Sequence, residues 1–290
     1  MRIIMVPVAD RPECAAALDS AISLADRLKA NISACHIRSH RHSSVRLPEE
    51  ATYLLPASEV PKPTAAELKS ANAASKAAQQ LVEKLAESRG FVFRKRLSGD
   101  SERSLIWSEE VGHVENLLPV IGPFADLIVV SRPKRAASRI ARLFMEQALL
   151  HTSRPVLILP QARRLQLGRR VVIGWDQTQN AMRSVVAALP ILQQADDVSI
   201  LTSGVGKSGG AKAGQLVKYL KAWGIDANTK RTPQSKAGEV KDLEAHLKSV
   251  DADLLVMGSY SRHRFRERLF GGMTEHFLTN STMPVLMTHG

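Results

Sequence analysis

The residues best suited to chemistry lie between Ala252 and Gly290. Leu254 to Met257 is a short apolar run that ends in Gly258, the pattern of a strand buried on both faces of a parallel sheet. Arg262, Arg264, Arg266 and Arg268 follow, and Gly271-Gly272 then opens a helix that the spacing carries to about Asn280. Pro284 begins a last apolar run, Val285 to Met287. A glycine pair at a helix start, facing a strand end, leaves backbone N–H groups without partners, and these suit an anion. Gly258 keeps a Cβ out of the way of a ligand approaching the strand end. An arginine can grip a phosphate with two hydrogen bonds. Alternate spacing along a loop cannot aim four of them inward, so one or two phosphate contacts and a solvated face are expected.

The same arrangement occurs once earlier. Ala125 to Ser131 parallels Ala252 to Gly258, Arg154 to Leu159 parallels Met283 to Thr288, and Ile3 to Asp10 parallels Arg170 to Gln177. A whole domain is therefore repeated, not a solenoid unit of about 20 to 50 residues. The earlier copy carries its own basic loop, with Arg132, Lys134, Arg135, Arg139 and Arg142. It also carries about 40 more residues than the later copy before its fourth strand.

These motifs resemble those of the universal stress protein family, and the chain is similar to two such domains in tandem. Nucleotide-binding members of that family carry glycine, two residues, glycine, nine residues, glycine, then Ser or Thr. They also carry an Asp at the end of the first strand. The second repeat has Gly258, Gly271 and Asp176 in those places, but Ser261 and Gly272 depart from the pattern. The first repeat has Ser131 for the leading glycine and Ala9 for the Asp, with Asp10 one place late. Near its helix start, at Arg142-Leu143, the glycine and the hydroxyl are missing.

The resemblance implies an α/β fold of two flavodoxin-like domains, of the adenine-nucleotide alpha-hydrolase-like kind. Each would have a five-stranded parallel sheet of order 3-2-1-4-5 with helices on both faces, and the fifth strands could pair across the boundary in an internal pseudo-dimer. It also implies ATP, with Mg2+, in the second domain. Asp176 would accept from the ribose, while Met257 and the backbone near Thr202 and Ser203 would border the adenine. Gly271, Gly272, Met273 and Thr274 would face the phosphates at the helix start, with Ser261 and Arg262 beside them. The first domain would be degenerate and structural. Such a protein acts in stress survival through a ligand-dependent conformation or a protein partner, without turnover. The alternative is a pure interaction module, like the family branch that lacks the glycine motif. Further association of two chains is left open.

Other chemistries find less support. Leu201 to Ser208 ends like a phosphate-binding P-loop, but Leu201 stands where that motif needs glycine, and Gly209-Gly210 lengthens the loop. His36, His40 and His42 cluster without the further ligands that zinc requires. His263 and His276 have no nucleophile to serve, and neither a Ser-His-Asp arrangement nor a close carboxylate pair can be ordered. Cys14 and Cys35 imply no disulfide framework and read as buried thiols.

Composition sets the outer bounds. Two domains of ordinary size suit 290 residues. A net charge of +12 favours anionic partners. With three Trp, three Tyr and seven Phe, a base-stacking platform for nucleic acid is not expected. No apolar run approaches the roughly 18 residues of a membrane span. The opening MRIIMVPVAD enters a strand directly, so a cytoplasmic protein is expected.

The elements that must position the site follow by periodicity. The first domain, residues 1–160, reads as strands at Ile3–Val8, Ile32–Ile37, Phe91–Leu97, Leu127–Ser131 and Val156–Leu159. Helices are predicted from Pro12, from a Thr64/Glu67 capping box to a stop at Gly90, largely over Ser104–Ile121, and over Ile140–His151. Arg38 to Thr64 reads as a long loop, and residues 161–168 as the linker. The second domain, 169–290, repeats the alternation with tighter connections. Strands alternating with helices give parallel units with right-handed crossovers, whose ligands sit beyond the carboxyl ends of the strands at the topological switch point.

Overall fold

A computed structural model of the chain describes residues 1–9, 11–38, 64–97, 102–133, 139–161, 165–202, 211–231, 238–259 and 272–289. Among these residues eleven strands form one sheet, covered on its two faces by eight α-helices. The first repeat supplies β1 (Ile3–Pro7), α1 (Pro12–Leu28), β2 (Asn31–Arg38), α2 (Ala65–Arg89), β3 (Val92–Arg94), β4 (Ser104–Val111), α3 (Val114–Ile121), β5 (Leu127–Ser131), α4 (Arg139–His151) and β6 (Val156–Leu159). The second supplies β7 (Arg170–Trp175), α5 (Gln179–Leu192), β8 (Asp197–Thr202), α6 (Ala213–Ala222), β9 (Asn228–Arg231), α7 (Glu239–Ser249), β10 (Leu254–Gly258), α8 (Gly272–Thr279) and β11 (Val285–Thr288).

The sheet runs β3-β4-β2-β1-β5-β6-β11-β10-β7-β8-β9. Every pairing within a repeat is parallel. The two halves join where β6 meets β11 antiparallel, with Val285 opposite Ile158, Leu286 opposite Leu157 and Met287 opposite Val156. The second repeat has the 3-2-1-4-5 order implied by the resemblance. The first has the same order with β4 as its third strand and the short β3 added outside it.

That placement corrects the expected helix over Ser104–Ile121. Ser104–Val111 is a strand, paired with β2 from Ile32↔Leu105 to Arg38↔Val111. Leu105, Ile106 and Trp107 are buried in succession, as the two faces of an inner strand require. The helix begins at Val114, past Gly112 at φ +150°, and runs through Pro119. The strand expected over Phe91–Leu97 shortens to Val92–Arg94 at the sheet edge.

Strand residues alternate between two apolar layers. Ile4, Val6, Leu127, Val129, Leu157, Val171, Ile173, Leu254, Val256 and Leu286 face one, with α1, α2, α5 and α6 packed there through Leu18, Ile22, Val82, Val185 and Leu216. Met5, Ile128, Val130, Ile158, Val172, Leu255, Met257 and Met287 face the other, beneath Leu118, Met145, Leu243, Leu247 and Phe277 of α3, α4, α7 and α8. Each layer spans both repeats, so the halves share their cores.

Local signals fix the ends of elements. Thr64 Oγ1 accepts from the Glu67 N–H at 3.3 Å, and the Glu67 carboxylate accepts from the Thr64 N–H at 2.9 Å. Gly90, at φ +68°, ends α2 in the left-handed conformation. The repeated Ala-Asp pair also has a physical meaning. Asp126 accepts from the N–H groups of Arg2 and Ile3 at 2.5 and 3.0 Å. Asp253 does the same for Gly168, Arg169 and Arg170 at 2.8 to 3.2 Å. In each repeat a carboxylate before the fourth strand pins the start of the first.

Gly258 has a packing role. A Cβ there would lie 2.5 Å from the Ala181 backbone nitrogen and 2.9 Å from the Asn180 carbonyl carbon. The N-terminus of α5 therefore rests directly on the end of β10, a contact that no other residue type allows without movement. Gly258→Ala is expected to destabilise the protein by about 2 kcal/mol, lowering Tm by several degrees with or without ligand. Thermal unfolding checks this, and an unchanged Tm would refute the packing role.

Cys35 is buried, and burial pushes its thiol up to about 11. Cys14 is only partly buried, and its thiol is also raised, chiefly by desolvation. A raised pKa keeps the unreactive protonated form. Alkylation of the native protein at pH 8 should be slow at both cysteines and fast once the chain is unfolded, as mass spectrometry over time would record.

Candidate functional site

The chain reverses its direction of growth across the sheet between β7 and β10, and this is the switch point of the second repeat. Met257 lies opposite Gly174, and Trp175 opposite Thr202. Asp176 follows β7 directly and Gly258 closes β10, so Asp176, Thr202, Met257 and Gly258 reach one edge of the sheet. Ser203, Ser261, Arg262 and Gly271 lie outside the described residues, as do Arg264, Arg266 and Arg268, so their expected roles are not placed.

Asp176 is exposed. Its Oδ1 accepts from the Thr178 N–H at 3.0 Å and from the Thr178 hydroxyl at 2.6 Å. Thr178 in turn caps α5, its Oγ1 accepting from the Ala181 N–H at 3.1 Å. Gln177 between them takes φ +65°, which turns the chain sharply off the strand. The carboxylate is thus held in a fixed orientation, with acceptor capacity beyond these two bonds.

Three of the expected residues are less open than their sequence positions suggest. Met257 is 7% exposed, packs in the layer under α7 and α8, and gives its carbonyl to the Ser184 hydroxyl at 2.8 Å. Thr274 is 4% exposed, so what it offers is its backbone N–H in the first turn of α8. Met273 packs partly against the same apolar layer. Gly272 is the reverse: it is exposed, and a Cβ built on it meets no described residue within 4 Å. The opening turn of α8 keeps N–H donors without intrahelical partners and carries the positive end of the helix dipole.

A buried polar network that the sequence reading missed supports this edge. Ser184 Oγ lies 2.8 Å from Thr288 Oγ1 and accepts from the Thr288 N–H at 2.9 Å. Thr288 Oγ1 donates to the Asn180 carbonyl at 3.1 Å. Asn180 Nδ2 donates to the Ser259 carbonyl at 2.6 Å, and Ser259 Oγ to the Thr288 carbonyl at 2.6 Å. The ends of β10, β11 and α5 are thereby locked together. The legible signal was Asn180 and Ser184 four apart, two polar residues on one side of a helix whose buried face is otherwise apolar.

The corresponding edge of the first repeat is built differently. Ala9 replaces the carboxylate, and the Val8 carbonyl is engaged by His36 Nδ1 at 2.8 Å. His36 is buried and stacks on Trp107 with ring centroids 5.7 Å apart, a core role and not a metal ligand. Arg132, expected in a basic ligand loop, is 5% exposed and points into the second repeat. Its guanidinium donates to the carbonyls of Phe277 at 2.8 Å, Leu278 at 3.2 Å, Met283 at 3.0 Å, and Ser281. Desolvation holds its pKa down to about 10. Arg142 also reaches across, 3.8 Å from Glu275. Among the described residues no group of three His, Cys, Asp or Glu converges to hold a metal, and no helix is long and apolar enough to cross a membrane.

Comparison with known proteins agrees with the architecture. The model of the universal stress protein family matches residues 1–160 and 211–289. The unmatched stretch includes β7, α5 and Asp176, which the structure places as the second repeat's counterpart of the first repeat's opening. No curated protein matches in sequence. The fold is similar to that of a universal stress protein from Archaeoglobus fulgidus DSM 4304, at 14% identity, TM-score 0.68 and 99% and 98% coverage of the two chains. It is also similar to a putative universal stress protein from Pseudomonas aeruginosa UCBPP-PA14, at 13% identity, TM-score 0.57 and 99% and 93% coverage. With the family matched over both halves and the doubled sheet beside it, the chain belongs to the universal stress protein family.

Proposed function

We propose that the second repeat binds an adenine nucleotide, ATP with Mg2+, and that the first repeat binds none. The observation that carries this reading is the convergence at the β7/β10 switch point. A fixed, exposed carboxylate on Asp176 stands at the end of β7, and α8, the helix that follows β10, opens at Gly272, where a Cβ would meet no described residue within 4 Å. Asp176 would accept from a ribose hydroxyl, the backbone at Thr202 would border the base, and the first-turn N–H groups of Gly272, Met273 and Thr274 would take phosphate oxygens. Mg2+ would arrive bound to the phosphate oxygens of the nucleotide. Arg262 and Ser261 belong to the same proposal by their place in the motif. The reading is one of ligand binding and not of turnover: nucleotide occupancy would act through a ligand-dependent conformation or a contact with a protein partner.

Thermal unfolding with millimolar Mg-ATP tests it, with GTP and AMP as controls. At about 100 times Kd the gain is about 2.7 kcal/mol, a clear rise in Tm. Asp176→Ala should remove most of that rise. If neither ATP nor another nucleotide moves Tm in ligand-free protein, the interaction module becomes the better reading. Gly272→Ser probes the same site in the opposite direction, because it restores the hydroxyl of the family pattern where a side chain has open space. It should tighten ATP binding about fivefold, the effect of one added hydrogen bond worth about 1 kcal/mol. Weaker binding by that variant in calorimetric titration would contradict the placement of the phosphates.

A further inference from the structure

We infer that Arg132, from the first repeat, is a positioning residue for the nucleotide site of the second, acting through α8. The inference rests on the nucleotide reading above. Arg132 is the direct counterpart of Ser259, one residue past the fourth strand of its repeat. Ser259 stays at home and bonds the Thr288 carbonyl of its own repeat. Arg132 crosses the boundary and binds carbonyls of Phe277, Leu278, Ser281 and Met283, at and just beyond the C-terminal end of α8. At this pair of equivalent positions the crossing therefore runs from the first repeat to the second.

Among the described residues the partners of this guanidinium are carbonyls. A buried cation in such a position is stabilised by the orphan carbonyls and the negative pole of a helix C-terminus. The same helix presents its positive pole and free N–H groups to the proposed phosphates. Eight residues make a marginal helix on their own. Its place is set by Phe277 and Leu278 in the core, by His276 against Glu244 of α7 at 2.6 Å, and by Arg132 at its end. The backbone of Arg132 is itself fixed: its N–H donates to the Leu159 carbonyl at 2.7 Å, and its own carbonyl accepts from Gln161 Nε2 at 2.9 Å. Arg132 thus ties α8 to the end of β6, the strand that joins the repeats. The first repeat, lacking the features of a nucleotide site, gains a role in holding the one beside it.

The test uses the full chain and compares wild type, Arg132→Met, Arg132→Lys and Ile22→Ala, the last a core truncation in α1 that lowers stability without touching α8. Mg-ATP affinity is measured by calorimetric titration at a temperature where all four are folded, and amide hydrogen exchange is followed across α8 without ligand. Arg132→Met should bind ATP about tenfold more weakly, within the range of couplings between linked sites. Its α8 amides should exchange faster while those of α5 hold. Arg132→Lys should recover part of both, and Ile22→Ala should bind like wild type. Unchanged affinity in Arg132→Met, or an equal loss in Ile22→Ala, would overturn the inference while leaving the nucleotide reading intact. Failure of the wild type to bind ATP would overturn both.

Discussion

The antiparallel pairing of β6 with β11 is the contact on which the rest of the molecule depends. It involves the four-residue strands Val156–Leu159 and Val285–Thr288, all of whose residues are buried. It fuses two parallel sheets into one of eleven strands, and it puts equivalent helices of the two repeats on the same face. Each apolar layer then continues across the join. A sheet ending at β6 or β11 would present a largely apolar edge strand, which is an aggregation hazard. Each repeat removes the other's exposed edge. The outer edges that remain are short, and at β9 wholly exposed and polar, with Lys230 and Arg231 turned to solvent.

The join also lets sequence divergence in one repeat become structure in the other. A symmetric dimer of identical chains has the same residue on both sides of its axis. Two covalently linked repeats are free of that constraint. At equivalent positions this chain has Arg132 and Ser259, Ala9 and Asp176, and Ser131 and Gly258. In the first repeat the strand end is closed with His36 stacked on Trp107, and its arginine is directed across the boundary. In the second the strand end is held by the network of Asn180, Ser184, Ser259 and Thr288, which leaves Asp176 exposed beside it. The first repeat's differences from the second at these positions thus coincide with contacts that support the second.

Much of this was legible in the sequence because it rests on periodicity and repetition. The alternation of strand and helix, the Thr64/Glu67 box and the stop at Gly90 act locally, and the paired Ala-Asp motifs, though they act on distant N–H groups, show through repetition. Ser104–Val111 was misread because SLIWSEEV mixes buried apolar residues with Ser and Glu, and only the neighbouring β2 makes it a strand. Gly258 was assigned to ligand access because a glycine at a strand end looks the same whether a ligand or a helix rests on it. The packing need at Gly258, where a Cβ would lie 2.5 Å from the Ala181 nitrogen, involves residues some 80 positions away and was not legible. Arg132 read as one basic residue among several for the same reason. Its partners at 277 to 283 follow from the β6–β11 join, and no spacing rule reaches across it.

The central claim is that one repeat binds nucleotide and the other holds it in place. Stoichiometry tests this most directly. Calorimetric titration of the ligand-free chain with Mg-ATP should give a single site, one nucleotide per 290-residue chain. Two equivalents per chain would contradict the division of labour between the repeats, and none would contradict the nucleotide site itself.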